Sequence, residues 1–321
     1  MRPQTRTPMY RVHSLVCALI SGYLAYGCAN PFDEVTIGRS SKSARSTPAT
    51  QRKTSGKVRL SLSATDTEKY LRFISGKQLT GRLSYASPDL DTAQALDAVL
   101  IAKALVLGGV SADFEFAKIP NSERERAMVL AGDVTVAGTS QWDFWADENA
   151  ADVFKSDEVV PNGAFEKGLY TTRERADDLV LDTPTDLSRY SCVTNKSWRV
   201  DWNTLSRLGF KSLQAAPNTE TMFKMVQGGH ADLTVQSFSG LPDMSITVGG
   251  ITLYPIKGWK VLLNGSRHYV VSKKNPLGAS TFAALQKGLA QMKQVDEVSR
   301  ALTESGFFNV NVRDWKSIQA R

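Results

Sequence analysis

The sequence predicts an α/β protein built as two similar lobes. Three observations predict it. Short alternating strand patterns recur between longer helical patterns. One strand–helix–strand unit returns after about a hundred residues. The composition, 42% hydrophobic and 9% aromatic over 321 residues, supplies a core large enough for two domains or for one domain with two lobes.

The chain opens with an address rather than a fold element. Residues 1–14 carry Arg2, Arg6 and Arg11 and no acid, and residues 15–26 form an apolar stretch of 12 residues. Small residues follow at Gly27, Cys28 and Ala29. A basic start, a short apolar run and small residues read as a signal peptide over 1–27. The run is too short for a transmembrane helix, which needs roughly 20 apolar residues. Cleavage before Cys28 would leave an N-terminal cysteine, similar to bacterial lipoproteins, with Cys28 as the lipidated residue. Ordinary cleavage after Ala25-Tyr26-Gly27 is the alternative, giving a free periplasmic protein instead of a membrane-anchored one.

Residues 28–60 read as a flexible tether. From Val35 to Leu60 there are seven basic residues and no acidic one, among many Ser and Thr. Setting aside the signal peptide and this basic stretch leaves 29 basic against 32 acidic residues. The net charge of +7 therefore belongs to the leader and tether, and nucleic acid is not implied as a partner.

The body follows element by element. Gly81–Tyr85 reads as a strand, and Asp91–Leu107 as a long helix stopped by Gly108-Gly109. Thr65–Lys77 has the pattern of a short amphipathic helix. Phe114–Ile119, Val134–Val136, Arg189–Thr194 and Leu233–Val235 read as strands. Ser122–Leu130, Trp198–Leu208 and Asn218–Val226 read as helices. The repeat lies within this grammar. Pro120-Asn121-Ser122-Glu123 opens one helix and Pro217-Asn218-Thr219-Glu220 another, and each helix runs through Gly and Asp into a strand. Asn caps the free amides, Glu favours the positive helix end and Gly ends the helix.

These units, with the segments Lys167–Arg173 and Tyr269–Pro276, resemble the type 2 periplasmic solute-binding family, as in amino-acid-type ABC transporter binding proteins. The resemblance implies a two-lobed α/β fold with two crossover strands. Its first lobe would span 61–172, its second 173–268, and a return to the first lobe 269–321. Hinge closure around Tyr170 and Tyr269 would trap a small polar ligand. The implied function is solute capture for an ABC-type transporter. The alternative is a sensing or interaction module of the bacterial envelope, with a membrane sensor in place of a permease as partner.

Ligands in open α/β sheets bind beyond the carboxyl ends of strands, near helix N-termini. That rule selects Tyr85, Ser87, Thr139, Ser140, Gln141 and Trp142 in the first lobe. In the second it selects Asn195, Lys196, Ser197, Gln236, Ser237 and Phe238. Family members usually follow the first-lobe strand with a Thr and a carboxylate-clamping Arg. Here Thr139 has no Arg after it, so an ordinary α-amino acid is disfavoured as ligand.

No HExxH, GxSxG, CxxC or Walker pattern occurs, so an enzyme, a metal centre and a cofactor are not expected. His230 and His268 are the only histidines after the leader, and Cys192 the only cysteine after Cys28.

Overall fold

The computed structural model describes residues 56–179 and 181–319. The signal peptide, Cys28 and the tether up to residue 55 lie outside the described residues. In chain order the elements begin with β1 (Arg59–Leu62), α1 (Ala64–Ile74), α2 (Ala93–Leu107), β2 (Glu115–Lys118), α3 (Ser122–Ala131), β3 (Val136–Ala137) and β4 (Gln141–Trp142). They continue with α4 (Asp143–Glu148), β5 (Val153–Val160), β6 (Phe165–Thr171), α5 (Arg173–Ala176), β7 (Ser191–Thr194), α6 (Arg199–Leu205) and β8 (Ser212–Ala215). The chain ends with α7 (Thr219–Gln227), β9 (Leu233–Gln236), β10 (Ile246–Val248), β11 (Ile251–Leu263), β12 (Arg267–Ser272), α8 (Gly278–Gln294), α9 (Glu297–Glu304) and β13 (Lys316–Gln319).

Two sheets divide these strands. The first runs β2-β1-β3-β12-β4, with β5 also on β12. The second runs β10-β11-β6-β9-β7-β8, with β13 also on β11. Each sheet holds three parallel strands, β2-β1-β3 in one and β8-β7-β9 in the other. In each, the third strand then pairs antiparallel, β3 with β12 and β9 with β6. The repeat read from the sequence is thus realised as the same strand order in both lobes. Asn121 and Asn218 cap α3 and α7, accepting from Arg124 N at 2.9 Å and Thr221 N at 2.8 Å.

The first sheet begins earlier than the sequence reading placed it. Val58-Arg59-Leu60-Ser61-Leu62 alternates in charge and apolarity, and Leu60 and Leu62 are fully buried in the main core. β1 therefore takes the end of the segment read as tether, and it is the strand on which both β2 and β3 pair. Gly81–Tyr85 forms no strand. Leu83 and Tyr85 are buried there by side-chain anchoring, not by a ladder. The amphipathic segment does form a helix, α1, capped by Ser63 and burying Tyr70 and Phe73. α2 is apolar on nearly every side because it is enclosed between the sheet and α8.

The lobe boundaries also move. Tyr170 is locked in a ladder against Pro255 and Thr234, and Tyr269 is fully buried in β12. Both lie within strands and not in the segments that pass between the sheets. The chain leaves one sheet for the other at 161–164 and again at 264–266. Gly163 takes a positive φ of 75° in the first crossing. Asn162 Oδ1 accepts from Gly265 N at 2.7 Å, tying the two crossings together. The second lobe thus starts at β6 and ends at β11. The C-terminal return is not confined to the first lobe either, because β13 pairs in parallel with β11 of the second sheet. No helix among the described residues is long and apolar enough to cross a membrane.

Candidate functional site

A cleft of about 780 Å³ lies between the lobes. The N-terminal ends of α2, α3 and α6 converge on it, with the loop Thr139–Trp142, the start of β6 and Arg267 at the head of β12. Gly138 sets the loop. A Cβ there would stand 1.8 Å from the Ser61 carbonyl oxygen of β1, so only glycine lets the chain turn over the strand end. The Gly138 N–H donates to Ser61 Oγ at 3.1 Å.

The chemistry gathers around two arginines. Arg267 donates through Nη2 to the Ser140 carbonyl and stacks on Trp142, with 4.8 Å to the ring centroid, and on Phe165 at 5.9 Å. Its Nε is buried with no hydrogen-bond partner among the described residues. Arg126 donates from Nε to Gln141 Oε1 at 3.0 Å and lies 5.4 Å from the Trp145 ring. Among the described residues neither guanidinium forms an ion pair. Burial lowers the pKa of both, with Asp97 acting against that at Arg267 and Glu125 at Arg126.

The carboxylates nearby are held in place by the protein itself. Asp97 Oδ2 accepts from Ser140 N and Ser140 Oγ, both at 2.8 Å, and Oδ1 accepts from the Tyr269 hydroxyl at 3.1 Å. Glu125 accepts from Ser61 Oγ, Thr139 Oγ1 and Gln141 Nε2. Burial raises both pKa values against those hydrogen bonds. Lys167 is paired with buried Asp201 and faces the Trp198 ring at 5.3 Å. Across the mouth, Arg199 of the second lobe makes a bidentate pair with Glu148 of the first, at 2.9 and 2.8 Å. Arg199 also covers Phe144 at 4.1 Å.

Of the residues selected from the sequence, Thr139, Ser140, Gln141, Trp142, Ser197 and Ser237 line this cleft. Phe238 lines an adjoining cavity instead. The other five line neither. Tyr85 is buried beneath α9, donating from its hydroxyl to Glu297 at 2.9 Å. Ser87 caps the short turn Pro88–Leu90. Asn195 is spent on its own loop, with Nδ2 donating to the Pro217 carbonyl and Oδ1 accepting from Ser197. Lys196 rests over Trp202, and Gln236 is buried in β9, bonded to Thr234.

No Arg follows Thr139 in the sequence, yet two guanidiniums from elsewhere in the chain line the same cleft as this loop. Arg126 reaches it from a helix one element earlier, and Arg267 from a strand far along the chain. Sequence reasoning missed both, and also Asp97 and Phe165. Arg126 sits in the charged run Glu123–Arg126, which reads as an ordinary solvated helix face. Arg267 heads an alternating strand with no local motif to mark it.

His230 is exposed in a turn. His268 has both ring nitrogens engaged, Nδ1 with the Ser156 carbonyl at 2.7 Å and Nε2 with Ser266 Oγ at 2.8 Å. Cys192 is buried, and burial pushes its thiol pKa up. Among the described residues no group of three His, Cys, Asp or Glu is placed to hold a metal ion.

No protein-family model matches the chain, and no curated protein matches it significantly. Solved structures do. The periplasmic VFT2 domain of BvgS from Bordetella pertussis is 17% identical with a TM-score of 0.44, over 64% of this chain and 82% of that one. Substrate binding domain 2 of GlnP from Lactococcus lactis, in an open conformation, is 12% identical with a TM-score of 0.47, over 78% and 94%. A periplasmic His/Glu/Gln/Arg/opine family-binding protein from Silicibacter pomeroyi, in complex with lysine, is 12% identical with a TM-score of 0.46, over 79% and 98%. The second and third of these are named as a binding domain and a binding protein. Their likeness is too distant to argue ligand or role. The two-lobed α/β architecture stands on the strand order described above.

Proposed function

We propose that this chain is an extracytoplasmic solute-binding protein that closes its lobes on a small anionic ligand and hands it to an ABC-type transporter. The observation that carries the reading is the pair of guanidiniums, Arg126 and Arg267, lining an aromatic-walled cleft with no carboxylate partner among the described residues. A guanidinium offers a planar fork that matches a carboxylate or phosphate, and burial strengthens the match. Burial lowers the pKa of both arginines, and an anion between them offsets that cost. Trp142 and Trp145 hold the two forks by their faces, so little ordering remains for the ligand to impose.

Closure is the natural mechanism. Two short crossings, tied at Asn162 and Gly265, join lobes that each contribute to the cleft wall. A ligand touching both lobes favours the closed arrangement by its differential affinity alone. Binding without turnover fits the thiol and imidazole placements, since Cys192 is inert by burial and His268 is already engaged on both nitrogens.

The test is a thermal-shift screen of the body against amino acids, dicarboxylates, sugar phosphates and nucleotides, with neutral sugars and polyamines as the opposing set. A ligand at 100 times its Kd adds about 2.7 kcal/mol. Anionic hits that vanish in Arg267→Ala and in Arg126→Ala support the reading. Hits confined to the neutral or cationic set, or indifferent to both substitutions, overturn it. Ligand uptake by cells with and without the protein then separates transport from sensing.

A further inference from the structure

The cleft has a second chamber. A cavity of about 450 Å³ adjoins it and shares Ala93, Phe165 and Ser237 as common wall. We propose that the ligand is bipartite, with its anionic head between Arg126 and Arg267 and an apolar, aromatic-sized tail in this second chamber. The inference rests on the anion-binding reading above and deepens it.

The two chambers differ in what they leave unsatisfied. In the first, the Arg267 Nε is buried without a hydrogen-bond partner among the described residues. In the second, most of the polar side chains are already engaged, Ser237 on the shared wall being the exception. Asp91 is paired with Lys69 at 2.5 Å, and Glu166 with Lys260 at 2.6 Å. Ser239 Oγ donates to the Ser245 carbonyl at 2.8 Å, and Ser305 Oγ to the Leu302 carbonyl at 3.3 Å. Thr92 caps α2 and donates to Asp66 at 2.8 Å. Beside these groups the chamber presents an apolar wall of Phe165, Phe238 and Phe307, backed by the buried Leu90 and Leu96. Phe165 and Phe307 meet edge to face at 5.1 Å, which gives the chamber an aromatic wall. An apolar tail leaves water for that wall, which a wholly polar ligand does not exploit.

The head group is named by charge, since a carboxylate and a phosphonate suit the same fork. The probes are therefore two series, ω-phenylalkanoates from phenylacetate to 6-phenylhexanoate and the matching phenylalkylphosphonates. Propionate, methylphosphonate and the α,ω-dicarboxylates serve as head-only and polar-tail controls. Calorimetry is expected to show affinity rising with linker length to one optimum, at least about tenfold tighter than the head-only probe. Gly240→Phe fills the chamber from a position where a Cβ meets nothing within 4 Å. It is expected to erase the gain and leave the head-only affinity unchanged. Ser305→Phe is a second route to the same filling, should the first variant fold poorly. Head-only and phenyl probes binding equally, or a gain that survives both filled variants, overturns the bipartite ligand and leaves the anion reading intact. Failure of every anionic probe to bind overturns both.

Discussion

At the residue scale, the cost of burying charge decides how the site behaves with pH. Glu125 is 1% exposed, and burial lifts its pKa above the ordinary 4.5 despite hydrogen bonds from Thr139 and Ser61. A carboxyl group with a raised folded-state pKa holds more protons in the native than in the unfolded chain between the two values. Stability from this group is therefore greatest on the acid side and falls as pH rises from about the ordinary value through the folded one. Asp97, raised by burial above 3.8, acts in the same direction. In Glu125→Gln the decline of melting temperature with rising pH across this window is expected to flatten relative to the parent. An unchanged slope would show that Glu125 ionises as freely folded as unfolded. Residue-level legibility was uneven. Thr139, Ser140, Gln141 and Trp142 were readable because a strand end followed by polar and aromatic residues is a local signal. Arg267 was not, because its role exists only once β12 lies between β3 and β4. Tyr85 and Asn195 misled for the opposite reason, since their polar atoms are consumed by α9 and by a neighbouring turn.

At the element scale, the helical grammar was readable and the short strands were not. Caps and glycine stops mark α2, α3 and α7 closely, because those signals are written within a few residues. β1 was hidden by its basic, Ser-rich approach, and its pairing with β2 and β3 spans more than fifty residues. Packing between α2 and α8 is a further feature that no local pattern announces. A Cβ on Gly288 would stand 1.8 Å from the Ala104 carbonyl oxygen, and one on Gly108 would stand 2.0 Å from that of Ala284. The helices meet backbone to backbone at both points. Gly288→Ala must push them apart and is expected to cost about 1–3 kcal/mol of unfolding free energy in urea titration. A neutral result would mean that α8 slides without loss, and the pairing of the two glycines would then have no energetic meaning.

At the scale of the whole molecule, two lobes were legible from the recurrence of one capped helix and its strand. Where they join was not. The sequence marks strands, and the joints are the few residues between them, 161–164 and 264–266, which carry little pattern of their own. The Arg199–Glu148 pair spans the cleft mouth between the lobes and is exposed on both sides. Exposed pairs add little to folding stability, so Glu148→Gln is expected to leave the melting temperature near the parent value. The lobe arrangement is the sensitive readout. Small-angle scattering of the unliganded variant is expected to report a larger radius of gyration than the parent. Equal radii, with equal melting curves, would remove the pair from any role in closure.

The C-terminal strand has a mechanical consequence. Two adjacent crossings define an axis, and a body joined only there could swing through a wide arc. The chain here crosses a third time, leaving α9 in the first lobe and ending as β13 alongside β11 in the second. On the way, the Val312 carbonyl accepts from Lys260 Nζ at 3.0 Å, and Trp315 meets Phe238 edge to face at 5.5 Å. If the lobes swing as proposed, this third connection is expected to act as a check-strap does on a door, limiting how far they part while Trp315 stays against the aromatic wall at Phe238.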